Sequence, residues 1–266
     1  MASSRSGRKG NGKSRSSGKP VLELKDHIVE IISDSGEGAQ KAGQGFGTVS
    51  AKMGNGVWTV EIIPAEIQPP ARSIAGASGN RIRLGSKPIN NGGDQADLVI
   101  AFNEQVLLGR VRDGELKPGC VILLESMWGE HRDAGVRALY AETVARLNED
   151  GYQVVEIPME RECLKHVSDA RKGKNMFVLG MLCSIYSLDP ELGREQVAFA
   201  LKKKDRKVVE ANQRLLDAGF AWAEENLDLK FSILHWYEMT LSAGYAVGFK
   251  GGKRAGDEWM VSLKIM

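Results

Sequence analysis

The chain has only three cysteines in 266 residues, Cys120, Cys163 and Cys183, and no two of them form a CxxC pair. That excludes a zinc knuckle or a self-contained iron–sulfur site, both of which need closely spaced thiolates. Long apolar runs are missing too, so no stretch reaches the ~18 residues of a membrane span. The N-terminus lacks the apolar core of a signal peptide, and the expected location is the cytoplasm. His27, His131, His166 and His235 stand in no HxH or HExxH relation, which argues against a metal site. No GxSxG elbow occurs, and no Cys or Ser has an evident base. Aromatics are scarce at 6% while Gly reaches 31, a balance suited to tight turns and close backbone approaches.

Acidic residues are absent from one region. Residues 1–19 carry six basic side chains and no Asp or Glu. The rest of the chain holds 30 Lys and Arg against 34 Asp and Glu, a net of −4. The basic isoelectric point near 8.3 is therefore a property of the tail. Nucleic acid is not an expected partner of the mildly acidic body. With almost nothing apolar to bury, residues 1–20 are expected to be a disordered basic tail. Within it, Gly7–Ser14 fits GxxxxGK[ST] letter for letter. No strand delivers that loop and no helix receives it, so it reads as chance.

What is present is an ordinary globular composition, 42% hydrophobic and 26% charged, with β and α signals in alternation. Strands are expected at Leu22–Ile32, Val57–Ile63, Asn80–Leu84, Asp97–Phe102, Cys120–Glu125 and Tyr152–Ile157. Helices are expected at Ala39–Met53 and Arg132–Glu149, and then at Lys174–Ser187, Pro190–Lys204 and Arg206–Asn226. Asp189 followed by Pro190 marks one helix start. The pattern implies an α/β fold: an open, mostly parallel, doubly wound (Rossmann-like) sheet with a C-terminal helical layer. The Met176, Leu179, Met181 and Leu182 stripe reads as helix core.

Three features could carry chemistry. Gly36-Glu37-Gly38-Ala39-Gln40-Lys41 begins like GxGxxG, with Lys41 where the third glycine would let helix and strand pack closely. The amides of this helix start could hold a phosphate or carboxylate, or the glycines could serve only a tight turn. Glu61, ~20 residues on, stands where a ribose acid would. The proline-stiffened loop from Ile63 to Ser73, with Glu66 and Arg72, follows a strand end where open sheets place ligands or partners. Asn103 follows a buried strand and faces the same crevice, as a hydrogen-bonder or a turn former.

Several segments in order resemble one family. They are Ser35-Gly36-Glu37-Gly38, Pro64-Ala65-Glu66-Ile67 with Pro70-Ala71-Arg72-Ser73, and Ala96–Glu104. Leu116-Lys117-Pro118-Gly119, Lys174-Asn175-Met176 with Leu179-Gly180, and Val208-Val209-Glu210-Ala211-Asn212 follow. Together they resemble the gamma domain of the 2-oxoacid:ferredoxin oxidoreductases, in the form fused at the N-terminus of the 2-oxoglutarate:ferredoxin oxidoreductase (2-oxoglutarate synthase) alpha chain. The resemblance implies a gamma-type α/β domain over residues 21–230. It also implies a complex that oxidatively decarboxylates a 2-oxoacid with coenzyme A, giving acyl-CoA, CO2 and reduced ferredoxin.

It further implies thiamine diphosphate, Mg, iron–sulfur clusters and coenzyme A in the complex, with no cofactor bound by this chain alone. The expected partners are the alpha and beta domains or subunits and, through the complex, ferredoxin. The candidate residues facing coenzyme A or a partner are Gly36, Glu37, Gly38, Lys41, Glu66, Arg72 and Asn103, and no catalytic or metal residue is assigned. Lys41 departs from the family's GEGGQG turn, and the expectation is that it supplies a charge in place of a glycine. Residues 231–266 read as an extension, a truncated or frame-altered start of an alpha domain. Two alternatives stay open: an independent nucleotide-dependent dehydrogenase, and an assembly module with no ligand.

Overall fold

A computed structural model describes residues 19–66, 69–233, 239–250 and 253–265. The expectation of a disordered tail over residues 1–20 lies almost wholly outside them. In chain order the elements are β1 (Leu22–Leu24), β2 (Asp26–Asp34), α1 (Ala39–Lys52), β3 (Gly56–Ile62), β4 (Ala77–Gly85) and β5 (Ala96–Ala101). Then come α2 (Glu104–Arg112), β6 (Leu116–Glu125), α3 (Ala134–Glu149), β7 (Gln153–Ile157) and α4 (Met159–Leu164). The chain continues through α5 (Lys174–Ile185), α6 (Pro190–Ala200), α7 (Arg206–Asn226) and β8 (Phe231–Ile233), and then β9 (Met239–Lys250) and β10 (Lys253–Ile265).

Six strands form one sheet in the order β3-β4-β2-β5-β6-β7. The pairs β2–β5, β5–β6 and β6–β7 are parallel, whereas β4 runs antiparallel to both its neighbours. Five strands thus point one way, as the alternating pattern implied. The apolar runs of β2, β5 and β6 are buried on both faces. Val29, Ile31, Leu98, Ile100 and Leu123 meet α1 and α5 on one side, and Ile28, Ile32, Val99, Ile122 and Leu124 meet α2 and α3 on the other. That two-sided cover is the doubly wound arrangement.

Helix α5 is buried along its whole length, between the sheet with α1 on one side and α6 with α7 on the other. Two glycines permit this depth. A Cβ at Gly180 would collide with the Leu216 carbonyl, and one at Gly219 with the Phe177 carbonyl, so α5 and α7 touch backbone to backbone. Caps set the helix starts. Asp189 accepts from the Glu191 amide at 2.8 Å, and Asp205 accepts from the Lys207 amide at 2.8 Å. Among the described residues no helix is long and apolar enough to cross a membrane.

The structure adds elements to the sequence reading. The expected strand Leu22–Ile32 divides, because β1 leaves the main sheet to pair in parallel with β8. His27 Nδ1 lies 2.6 Å from the Tyr186 hydroxyl and its ring packs against Phe231, which ties this pair to the core. Helices α2 and α4 follow β5 and β7. Residues 239–265 contain an antiparallel hairpin, with Met239 opposite Ile265 and Tyr245 opposite Trp259.

Candidate functional site

The C-terminal edge of the parallel strands is built around the turn from Asp34 to Gly38. Gly36 (φ 89°) and Gly38 (φ 95°) take left-handed backbone that disfavours any side chain. A Cβ at Gly38 would also press within 3.1 Å of Asn175 on α5. Helix α1 starts at this turn with no side-chain cap and no acid in its first turn. Its first amides and the positive end of its dipole therefore have no side-chain cap and no first-turn acid to compensate them. Lys41 is exposed in that first turn. The close approach for which the fingerprint needs a third glycine falls instead to Gly43, where a Cβ would collide with the Asn80 side chain.

Two clefts meet at Gly36. The first, about 660 Å³, lies between the start of α1, α5, α6 and α7. Lys41, Arg171, Lys172 and Lys204 line it and no Asp or Glu does. Gln44, Asn175 and Asn212 add amides, and Met176, Leu179 and Val197 provide an apolar wall.

The second cleft, about 810 Å³, is lined by Asp34, Glu37, Glu160 and Asp169 as well as by Arg72, Arg171 and Lys174. Arg72 has φ 53°, a left-handed conformation for a residue with a side chain. Its amide donates to Asp34 Oδ2 at 2.8 Å, its guanidinium pairs with buried Glu104, and it stacks 4.4 Å from the Trp128 ring. Trp128 is held in turn by donating to the Phe102 carbonyl at 2.7 Å. Lys174 is 1% exposed, 3.6 Å from Glu125 and 3.7 Å from Glu160. Glu125 accepts from the amides of Met127 and Glu160, yet burial pushes its carboxyl up to about 7 against the pull of Lys174. Burial likewise raises Glu37, again opposed by Lys174. Asp34 Oδ1, Glu37 Oε2 and Arg72 Nε are buried without a hydrogen-bond partner.

The structure therefore gathers Gly36, Glu37 and Arg72 on the second cleft, and Gly36, Gly38 and Lys41 on the first. Glu66 is exposed on the preceding loop and lines neither. Asn103 is fully buried, and its Oδ1 caps α2 by accepting from the amides of Gln105 (3.1 Å) and Val106 (3.0 Å). Sequence reasoning did not single out Arg171, Lys172 and Lys204, although the basic runs that hold them were visible. Among the described residues no three His, Cys, Asp or Glu side chains gather as metal ligands. The three cysteines are buried and apart, with burial pushing each thiol up to about 12, so they do not suit an iron–sulfur cluster.

A family model described as "Pyruvate ferredoxin/flavodoxin oxidoreductase" matches residues 29–222. The chain belongs to this family. It is 29% identical over 210 residues to 2-oxoglutarate oxidoreductase subunit KorA of Mycobacterium tuberculosis, covering 76% of this chain and 31% of that one. It is 22% identical over 210 residues to ketoisovalerate oxidoreductase subunit VorA of Methanothermobacter marburgensis, covering 79% and 39%. The chain thus spans about a third of the length of these curated relatives.

Among solved structures, a 2-oxoglutarate:ferredoxin oxidoreductase from Magnetococcus marinus, with 2-oxoglutarate, coenzyme A and succinyl-CoA bound, shares the fold at TM-score 0.63. That match has 22% identity and covers 82% of this chain and 35% of that one. A keto/oxoacid ferredoxin oxidoreductase gamma subunit from Geobacter sulfurreducens matches at TM-score 0.52 and 17% identity, covering 75% of this chain and 97% of that one.

Proposed function

We propose that this chain is the gamma-domain component of a 2-oxoglutarate:ferredoxin oxidoreductase and contributes the seat for coenzyme A. The α/β body over residues 21–230 is that domain. The observation that carries the reading is the first cleft, where four cations and a bare helix start meet with no carboxylate. Coenzyme A is a strong anion whose phosphates suit such a place. Its amide-bearing arm suits the second cleft, where buried donors and acceptors lack partners. The 2-oxoglutarate assignment follows the name of the mycobacterial relative.

In this reading the complex converts a 2-oxoacid and coenzyme A to acyl-CoA and CO2, and the two electrons released reduce ferredoxin. Thiamine diphosphate with Mg supplies the carbanion chemistry and iron–sulfur clusters the electron path, all held by alpha and beta partners. This chain's residues bind and orient. Gly36 and Gly38 open the helix start, Lys41 gives charge, and Glu37 with Arg72 lines the arm's path. Glu66 faces a partner, and Asn103 acts by fixing the start of α2. The complex is cytoplasmic, away from membrane and nucleic acid.

The dehydrogenase alternative loses support from the strand order. Glu61 lies on β3, and antiparallel β4 separates that strand from β2, whereas a dinucleotide fold carries its ribose acid on the neighbouring parallel strand. Glu61 also lines neither cleft. Its carboxylate already accepts from Gln44 at 3.0 Å.

The test mixes the purified chain with thiamine- and cluster-bearing partners and follows reduction of a low-potential dye with 2-oxoglutarate and coenzyme A. Coenzyme A-dependent reduction is expected only in the full mixture. Turnover by this chain alone overturns the reading.

A further inference from the structure

We infer that the lysine run joining α6 to α7 selects ligands by charge at the mouth of the first cleft, so that the most highly phosphorylated carrier enters fastest. This rests on the coenzyme A reading above. The end of α6 (Val197, Ala200) and the start of α7 (Val208, Asn212) line the cleft. The link between them carries Lys202, Lys203 and Lys204 in succession, all exposed. Lys204 lines the cleft, and Lys202 and Lys203 stand outside it.

Nearby groups leave this charge largely uncompensated. Asp205 caps α7 through the Lys207 amide, and Glu210 is engaged by Arg206 at 2.7 Å. Lys207 lies in a shallow neighbouring pocket with Lys172 and Asp169; Asp169 pairs with Lys172 at 3.5 Å, so Lys207 is the cation this pocket adds to the lysine run. The α6 C-terminus asks for only about half a positive charge, well below three lysines. Lys202 is also held in place, its ammonium 4.5 Å above the ring of Phe199, which is 64% exposed.

The body outside the tail is net acidic, so this corner has the opposite sign to its surroundings. Charges beside a cleft but out of contact raise the rate of encounter with an anion and leave the bound state nearly unchanged. The effect grows with the charge of the ligand and fades with salt, over a screening length of about 8 Å at physiological ionic strength. Lys202 and Lys203 therefore distinguish coenzyme A from its 3′-dephospho form by association rate.

Stopped-flow mixing of the full chain with coenzyme A or 3′-dephospho-coenzyme A, at low and physiological ionic strength, reads this directly. Reversing both charges (K202E with K203E) is expected to slow association of coenzyme A about tenfold at low salt, with dissociation changed less than about twofold. The 3′-dephospho form loses less. Neutralising both (K202Q with K203Q) gives a smaller loss in the same order and guards against misfolding of the reversed pair. Binding with unchanged association rates in both pairs, or a change confined to dissociation, overturns the steering role and leaves the seat intact. A wild-type chain that binds no coenzyme A overturns the seat and the steering role together.

Discussion

The two clefts share Gly36 and back onto the same helix, α5, yet their charges are arranged in opposite ways. Cations stand in the first with no acid among them, at the end of a helix whose dipole adds to their field. Acids and bases interleave in the second, several of them buried and committed to one another: Lys174 to Glu125 and Glu160, Arg72 to Glu104 and Trp128. Apart from Lys172, which pairs with Asp169 at 3.5 Å, the first cleft's cations have no ion-pair partner among the described residues, and such like charges cost stability until an anion arrives. Buried opposite charges are instead bound up with the fold, because removing either member strands the other. In the function proposed above, the first cleft is a surface kept ready for the ligand's phosphates, and the second is a charge-paired wall that sets the shape of the strand ends and lines the path of the ligand's arm.

The sharpest way to break this comparison is at Lys174. Lys174→Ala leaves Glu125 buried beside no cation, and a loss of about 3 kcal/mol in unfolding free energy at pH 8 is expected from denaturant titration. The loss shrinks toward pH 6 as Glu125 takes up a proton.

A second effect of similar size is visible in the unmodified chain. Burial raises Glu125 to about 7, above its ordinary value of 4.5, so between these values the folded state holds a proton that the unfolded state has released. Its contribution is therefore full below about pH 4.5 and declines as pH rises through about 7. The change amounts to about 3 kcal/mol over that window, and the raised Glu37 adds in the same direction. Glu125→Gln is expected to flatten this slope in melts recorded across pH 5 to 8.

Smaller again is the turn itself. Gly38→Ala places a side chain at φ 95° and against Asn175, at a cost of about 1–2 kcal/mol by thermal melt. Lys41→Ala, exposed and without a salt-bridge partner among the described residues, is expected to shift stability by less than about 0.5 kcal/mol.

Much of the fold is legible in the amino-acid sequence. The runs DLVIAF and CVILLE read as doubly covered parallel strands because only a sheet buried on both faces needs unbroken apolar sequence, and they became β5 and β6. Helix α2 was hidden, since its first residue is a buried glutamate and its cap, Asn103, looks the same as a turn residue until the amides of Gln105 and Val106 are seen to converge on it. The reversed direction of β4 was invisible because strand pairing is nonlocal and NRIRL reads alike in either sense. At the site, the glycine turn and Lys41 were marked by their pattern. Lys174 stood in a segment of the family resemblance, but its burial beside Glu125 was hidden, because a lysine in a basic run is ordinarily solvated and only tertiary packing reveals the pair.

The most direct measurement of the central claim is a calorimetric titration of coenzyme A into the chain, the Lys41→Ala variant and the Arg72→Ala variant. Lys41→Ala is expected to weaken binding about tenfold, equivalent to about 1.4 kcal/mol, while the melting temperature holds. Arg72→Ala is expected to lower the melting temperature as well, through Glu104. Equal affinity in all three proteins would contradict the account and leave the chain as an assembly module.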